Sequence, residues 1–170
     1  MLDVQQASTS QHEEDALQLF GEYLTWAARE LKEHYDIDYD PVAGLERDRN
    51  GLSAFTPPSG RLLLAYLDGE PAGVLSMKLH KDGAAELKRM FVRPAHRKQG
   101  IGRALVARAV EEARLDGRPL VRLDSAGFMG DAHVLYRSAG FRDTAPYEES
   151  EIPLELRHLW VFMELPLTQE

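Results

Sequence analysis

The chain contains 170 residues, of which 44% are hydrophobic, and it carries a net charge of −8 without any cysteine. That length suffices for one domain with a hydrophobic core, and the acidic balance argues against a general nucleic-acid or anionic-membrane binder. The lack of cysteine excludes disulfides, thiolate metal ligands and cysteine nucleophiles. The polar N-terminus lacks the features of a signal peptide, and no apolar run approaches the roughly 18 residues of a membrane helix, so we expect a cytoplasmic protein.

The first part of the chain predicts one short strand and two helices. Residues 2–7 form a candidate strand, and residues 13–34 carry apolar side chains at helical spacing. A weaker helix is predicted over residues 41–50, which Gly51 would end. The segment 56–60, which contains two prolines and a glycine, indicates a loop.

Three strands are predicted next, over residues 61–67, 72–80 and 86–92. The connections between them are short: Asp68-Gly69 has the composition of a hairpin turn, and residues 81–83 form a second turn. Strands that such tight turns connect run antiparallel. The middle of the chain therefore predicts an antiparallel meander.

The segment after the third strand has the pattern of a phosphate-binding turn. Pro94 ends the strand because it has no N–H to donate to a sheet, and a turn over residues 97–102 leads into an amphipathic helix. The first turn of a helix offers unpaired N–H groups, and Gly100 and Gly102 would let a phosphate approach the backbone. Six basic side chains favour anion binding over a merely solvated basic surface: Lys88, Arg89, Arg93, Arg97, Lys98 and Arg103.

Other phosphate-binding and hydrolytic motifs fit the sequence less well. A dinucleotide fingerprint needs a third glycine, but Gly100-Ile101-Gly102 is followed by Arg103, Ala104 and Leu105. The P-loop sequence GxxxxGK[ST] and the hydrolase elbow GxSxG are both absent. Together with the antiparallel meander, the missing glycine disfavours a nucleotide-binding regulatory domain.

The last third of the chain completes a mixed sheet. A strand is predicted over residues 120–125, and because a helix precedes it, it should pair in parallel with the strand at 86–92. A short helix at 131–139, an irregular loop at 144–157 and a strand at 158–166 follow. Without any repeat or linker, the whole chain from residue 1 to residue 170 is predicted to be a single α+β domain.

Two motifs resemble those of the GNAT N-acetyltransferase family. The pattern V-x-P-x-x-R-x-x-G-x-G spans residues 92–102 and resembles the family's acetyl-CoA motif, and A-x-x-L-Y-x-x-x-G-F at residues 132–141 resembles a second family helix. The order of the predicted elements matches the family over nearly the whole chain. The resemblance implies a mixed, mostly antiparallel sheet with a splayed central strand pair, flanked by helices.

The resemblance also implies where acetyl-CoA would bind. Backbone groups of Met90, Phe91 and Val92 would contact the pantetheine arm. The pyrophosphate would lie on the turn, held mainly by backbone N–H groups of Arg97, Lys98, Gln99, Gly100, Ile101, Gly102 and Arg103. Family members often have Asn three residues before the alanine of the second motif, where this chain has Met129.

Two residues are predicted to be catalytic by the same resemblance. Direct attack on a thioester requires a free amine, so a base must remove a proton, and an acid should meet the leaving thiolate. Glu86 is predicted to be the base, acting directly or through water; alternatively it is a strand-end carboxylate paired with Lys88 or Arg122. Tyr136 is predicted to be the acid; alternatively it is an aromatic residue at the edge of the core.

The acceptor is predicted to be a small-molecule or peptide amine, with no nucleic acid or membrane as partner, and the chain to be a monomer or homodimer. No metal is predicted, because the six histidines lack an HExxH motif. A non-catalytic acyl-CoA-binding module is the alternative function. The candidate acceptor residues, most of which we expect to be helix core or solvated loop, are Tyr23, Trp26, Tyr35, Asp36, Tyr39, Tyr147, Glu148, Glu149 and Glu151.

Overall fold

A computed structural model describes residues 1–167, which contain seven strands and four α-helices. Short 3-10 turns lie at Leu52–Phe55, Pro94–His96 and Leu154–Leu159. In chain order the strands and helices are β1 (Leu2–Gln6), α1 (Ser10–Tyr35), α2 (Pro41–Asn50), β2 (Gly60–Leu67), β3 (Glu70–Leu79), β4 (Ala85–Val92), α3 (Ile101–Leu115), β5 (Leu120–Ala126), α4 (Gly130–Ser138), β6 (Arg142–Asp143) and β7 (Trp160–Pro166).

The strands form one mixed sheet in the order β1-β2-β3-β4-β5-β7-β6. All neighbours are antiparallel except β4 and β5, which the α3 crossover makes parallel. Within the described residues, β4 and β5 pair at Ala85 with Val121 and at Glu86 with Arg122, and beyond these pairs the two strands separate. The mixed, mostly antiparallel sheet with a splayed central pair is therefore confirmed.

Both faces of the sheet are buried by helices. On β2, Leu62 and Leu64 pack with α1, whereas Leu63 and Ala65 belong to the core beneath α3. Successive side chains of a strand point to opposite faces of the sheet. All four of these side chains are fully buried because helices cover both faces. The sheet is thus the middle of three layers, and the gap between β4 and β5 opens inside a well-packed core.

Three predicted boundaries differ from the structure for local reasons. Helix α1 begins at Ser10 because the Thr9 hydroxyl accepts a hydrogen bond from the His12 N–H at 3.1 Å. Helix α4 begins at Gly130 with Met129 as its N-cap, so Asp131 lies in the first turn and does not cap the helix. The last strand begins at Trp160 because the residues before it form a 3-10 turn.

A β-bulge bends β4 where it leaves β5. Ser76 of β3 lies opposite Lys88, but Val74 lies opposite Phe91, so β4 holds an extra residue between these pairs. Arg89, inside the bulge, has a φ of 58°. A bulge increases local twist and redirects side chains, and here it falls at the centre of the splayed gap.

Gly60 supports the start of β2 and gives a direct test of the packing. A Cβ at this position would overlap the backbone carbonyl oxygens of Ala54 and Met77. We expect Gly60→Ala to lower the free energy of unfolding by about 3 kcal/mol, because backbone atoms cannot move aside cheaply. Gly130→Ala is the control, since a Cβ there meets no described atom within 4 Å. Equal urea midpoints for the two variants would contradict this packing.

Candidate active site

The turn between β4 and α3 exposes a row of backbone donors. Lys98 and Gly100 have φ values of 62° and 82°, and Gly100 is the N-cap of α3 without any side-chain cap. The N–H groups of residues 98–103 find no acceptor within the described chain, and Ala104 is the first to bond, to the Gly100 carbonyl at 3.0 Å. Such converging donors at a helix N-terminus form an anion-binding surface.

Three cations accompany these donors. Arg97, Lys98 and Arg103 are exposed and form no ion pair with residues 1–167. The Arg97 Nε donates to the Val92 carbonyl at 3.0 Å, and its guanidinium lies 5.9 Å from the centre of the Phe91 ring. Arg97 is therefore held against the end of β4 while its charge faces solvent beside the turn.

The other three cations of the predicted basic group form ion pairs with acidic residues away from the turn. Arg89 makes a bidentate ion pair with Asp48 of α2, at 2.9 and 3.1 Å. Arg93 lies 2.8 Å from Glu22 of α1, and the Lys88 ammonium lies 2.7 Å from Glu151. The prediction of six cations gathered for an anion was wrong for these three, because acidic partners from distant parts of the chain neutralise them.

The two glycines of the turn have different structural roles. A Cβ on Gly100 would meet no described atom within 4 Å, so this side of the turn is open. A Cβ on Gly102 would lie 2.9 Å from Cδ2 of Leu135. Gly102 therefore permits the close approach of α3 and α4, which is a packing role that the sequence pattern did not predict.

The remaining predicted coenzyme residues differ in the burial of their side chains. Phe91 is buried and packs against the Tyr23 ring, with 5.9 Å between ring centres. Met90 and Val92 pack against the core on the opposite face, and Ile101 is fully buried there. Gln99 is exposed. Phe91 and Val92 in the splayed part of β4 thus pack into the core, while the edge of β4 facing β5 lacks a partner strand in the described chain.

A cleft lies between the splayed strands. Tyr136 of α4 lines it; this residue is 6% exposed, and its hydroxyl makes no hydrogen bond with residues 1–167. Burial raises the pKa of Tyr136 above its ordinary value. A neutral, unpartnered hydroxyl therefore faces the cleft. The other lining residues include Tyr23 from α1, Lys88, Arg89 and Met90 from β4, and Asp124 and Ser125 from β5.

Glu86 lies behind this cleft and does not line it. Its side chain is 2% exposed, and its carboxylate lies 3.0 Å from Nε2 of His80 and 3.8 Å from the Lys88 ammonium. It also accepts a hydrogen bond of 2.7 Å from the Tyr147 hydroxyl. Of the two pairings in the alternative interpretation of Glu86, the one with Lys88 is present, whereas Arg122 contacts Asp82 and Glu149 instead.

The predicted irregular loop packs against Glu86 and Asp124. Tyr147 packs on Phe162 edge to face, and its hydroxyl lies 3.1 Å from Oδ2 of Asp124. The Ser150 hydroxyl donates to the same oxygen at 3.0 Å. Burial, and then the charge of Glu86, raise the pKa of Asp124. Glu149 and Glu151 are exposed, as expected of a solvated loop, although they also contact Arg122 and Lys88, whereas Tyr147 is half-buried and contacts Glu86.

The loop is held in place by Arg157. Its guanidinium donates to four backbone carbonyls at 2.9 to 3.4 Å, which belong to Tyr147, Glu148, Ser150 and Ile152. Sequence reasoning missed both this anchor and Asp124. The available signal was the alternation in β5, where Arg122 and Asp124 alternate with the buried Val121 and Leu123 and so share a face.

Other features of the described chain lie outside this site. A wider depression of about 410 Å³ is lined by residues of β1, α1 and the β2–β3 region and contains no predicted site residue. Within residues 1–167 no three His, Cys, Asp or Glu side chains form a group suited to a metal ion. None of the helices there has the length and apolar character of a membrane span.

Comparison with known proteins identifies the family. The model of the acetyltransferase (GNAT) domain matches residues 58–143. The chain is 34% identical to an IAA acetyltransferase of Azospirillum brasilense over 117 residues, which cover 68% of this chain and 74% of that protein. It is 35% identical over 98 residues to the N-acetylaspartate synthetase of Rattus norvegicus, which covers 57% of this chain and 33% of that protein.

The fold has solved counterparts. The PaiA N-acetyltransferase from Thermoplasma acidophilum, solved in complex with coenzyme A, superposes with a TM-score of 0.75 at 16% identity, covering 98% of this chain and 99% of that one. This likeness concerns the fold, whereas the family model and the Azospirillum relative concern the sequence itself. On these two matches, the chain belongs to the GNAT acetyltransferase family.

Proposed function

We propose that this protein is an N-acetyltransferase that transfers an acetyl group from acetyl-CoA to a primary amine of a small molecule or peptide. The observation that carries the proposal is the row of unpaired N–H groups at residues 98–103 together with a cleft that the Tyr136 side chain lines. The relatives, an IAA acetyltransferase and an N-acetylaspartate synthetase, support the reaction class.

The turn and the splayed strand would divide the coenzyme between them. Backbone donors of residues 98–103, with the charges of Arg97, Lys98 and Arg103, suit a pyrophosphate. The open edge of β4 at residues 90–92 suits the amide groups of the pantetheine arm, because strand edges hydrogen-bond extended chains. The complex of the Thermoplasma protein with coenzyme A supports the same class of co-substrate.

The chemistry needs a proton acceptor, an oxyanion donor and a donor to sulfur. Acetyl-CoA would supply a thioester carbonyl that an unprotonated amine can attack. Backbone N–H groups on the splayed part of β4 suit the tetrahedral oxyanion. Tyr136 would donate its proton to the departing thiolate. Glu86 would accept the amine proton through a relay, because it is buried behind the cleft.

The intact pair of Glu86 and Tyr136 favours turnover over a non-catalytic acyl-CoA-binding module. The acceptor itself is bounded by the cleft, which the Asp124 carboxylate lines, whereas the Lys88 ammonium is paired with Glu151. The names of the relatives refer to different compounds, so we propose an amine acceptor without naming a particular compound.

The proposed function is tested by thiol release from acetyl-CoA across a panel of amines. The panel should contain simple amines, amino acids, polyamines and short peptides, each with a matched reaction that lacks protein. We expect at least one amine to give thiol release above background and an N-acetylated product by mass spectrometry. Background rates across the whole panel would contradict the enzyme and support the non-catalytic module.

A further inference from the structure

Among residues 1–167, Asp124 is the one carboxylate that both lines the cleft and contacts the loop. It lies on β5 across the splayed gap from Lys88 and Met90 of β4. Its Oδ2 receives the Ser150 hydroxyl and faces the Tyr147 hydroxyl, whereas its Oδ1 makes no hydrogen bond with residues 1–167. One oxygen is thus fixed by the loop, and the other is left for a group that enters the cleft.

The Tyr147 hydroxyl has one proton and two carboxylate neighbours. The oxygen of Glu86 lies at 2.7 Å and that of Asp124 at 3.1 Å, so the closer contact takes the proton. The Tyr147 oxygen can then accept a hydrogen bond from Asp124 when the Asp124 carboxyl is protonated. This arrangement suits a carboxylate that gains a proton and passes it on.

The cleft holds a second, independent sign of a ligand. The Tyr136 side chain is 6% exposed, it lines the cleft, and its hydroxyl has no hydrogen-bond partner among the described residues. Both Tyr136 and Asp124 line the same small cleft. An unpartnered donor and an unpartnered carboxylate oxygen therefore face one space at the point where β4 and β5 diverge.

We propose that Asp124 is the catalytic residue that takes the proton from the acceptor amine, and that Tyr147 and Ser150 of the loop position its carboxylate. This inference rests on the proposed acetyl transfer. In this arrangement Glu86 lies behind Asp124, and the Tyr147 hydroxyl connects the two carboxylates. Asp124 and Tyr147 are then the relay through which the buried Glu86 accepts the proton.

The protons balance with these groups. The ammonium form of a primary amine gives one proton to Asp124, and the free amine then forms the C–N bond as the C–S bond breaks. Tyr136 gives its proton to the thiolate, and the second proton of the attacking nitrogen restores Tyr136. The amide keeps the third proton, and one proton per turnover leaves Asp124 through the Tyr147–Glu86 contact to solvent.

The surroundings of Asp124 determine the pH dependence. The titratable groups near it are Glu86 and Lys88 from β4, Tyr147 from the loop, Tyr23 from α1 and Tyr136 from α4. Burial and the Glu86 charge raise the pKa of Asp124 above 3.8. Because the reaction needs the carboxylate, kcat/KM should fall as the pH drops through this raised pKa.

The test is Asp124→Asn in the full chain, assayed with an amine that the panel identifies. We expect kcat/KM to fall about 100- to 1,000-fold, the acidic limb of its pH profile to disappear, and the Kd for acetyl-CoA to stay within about twofold. Asp143→Asn is the matched control, because this exposed carboxylate of β6 pairs with Arg137 outside the cleft. It should leave all three quantities unchanged.

A second variant separates positioning from folding. Ser150→Ala removes a hydroxyl that lowers the pKa of Asp124, so the acidic limb should move upward by about half a pH unit. Wild-type kcat/KM in folded Asp124→Asn, or an unmoved limb in Ser150→Ala, would overturn the Asp124 assignment alone. Wild-type protein without turnover on any amine would overturn the proposed function together with it.

Discussion

Tyr136→Phe is expected to lower kcat about 100-fold without weakening acetyl-CoA binding. The hydroxyl lines the cleft, lacks a hydrogen bond within the described chain and has a raised pKa because it is buried. It therefore stays protonated until a thiolate forms beside it. Phenylalanine keeps the ring and its packing on Phe141, with 5.9 Å between ring centres, so the loss should fall on the chemical step.

Tyr66→Phe is the matched control for Tyr136→Phe. The Tyr66 hydroxyl donates to Asp15 at 2.6 Å, outside the cleft. Its removal should leave kcat unchanged while lowering the free energy of unfolding by about 1 kcal/mol. Tyr136→Phe should show the opposite pattern, with stability preserved and kcat reduced. A wild-type kcat in Tyr136→Phe would mean that another group meets the thiolate.

Gly100→Val is expected to raise the KM for acetyl-CoA about 10- to 100-fold. A β-branched residue cannot adopt a φ of 82° without strain, so the turn should rearrange and one or two donors should leave the anion surface. A hydrogen bond to a charged group is worth about 1.5 to 3 kcal/mol, which corresponds to roughly tenfold to a hundredfold in binding.

Gly117→Val is the matched control for Gly100→Val. Gly117 follows α3, has a φ of 72°, and, like Gly100, would place its Cβ near no described atom. Both variants should lose a similar free energy of unfolding, about 1 to 2 kcal/mol. Only Gly100→Val should change the KM. Equal KM values for the two variants would show that the turn does not hold the coenzyme.

The fold was largely predictable because its signals are local. Tight turns at Asp68-Gly69 and at residues 81–83 imply the antiparallel meander, and the α3 crossover implies the parallel pairing of β4 with β5. Pro94 marks the end of β4 because it cannot donate to a sheet. The sequence did not reveal the bulge at Arg89, since its cause is the mismatch in register with β3.

The site was less predictable because its contacts join distant segments. Tyr147 is 61 residues from Glu86 and 23 from Asp124, so the loop gave no local sign of its partners. Contacts between distant segments also explain why the basic side chains at Arg89 and Arg93 were wrongly predicted to gather around an anion. Arg89 is neutralised by Asp48, 41 residues away, and Arg93 by Glu22, 71 residues away. The turn at residues 97–103 was recognisable because its glycines, cations and helix start are contiguous.

Calorimetric titration of the full chain with acetyl-CoA, coenzyme A and NAD tests most directly the claim that β4 and the following turn bind a coenzyme. We predict that acetyl-CoA and coenzyme A each bind with one molecule per chain, that Gly100→Val weakens both, and that NAD gives no binding heat. Binding of NAD without binding of either coenzyme A species would contradict the account, because it would assign the unpaired donors of the turn to a different ligand.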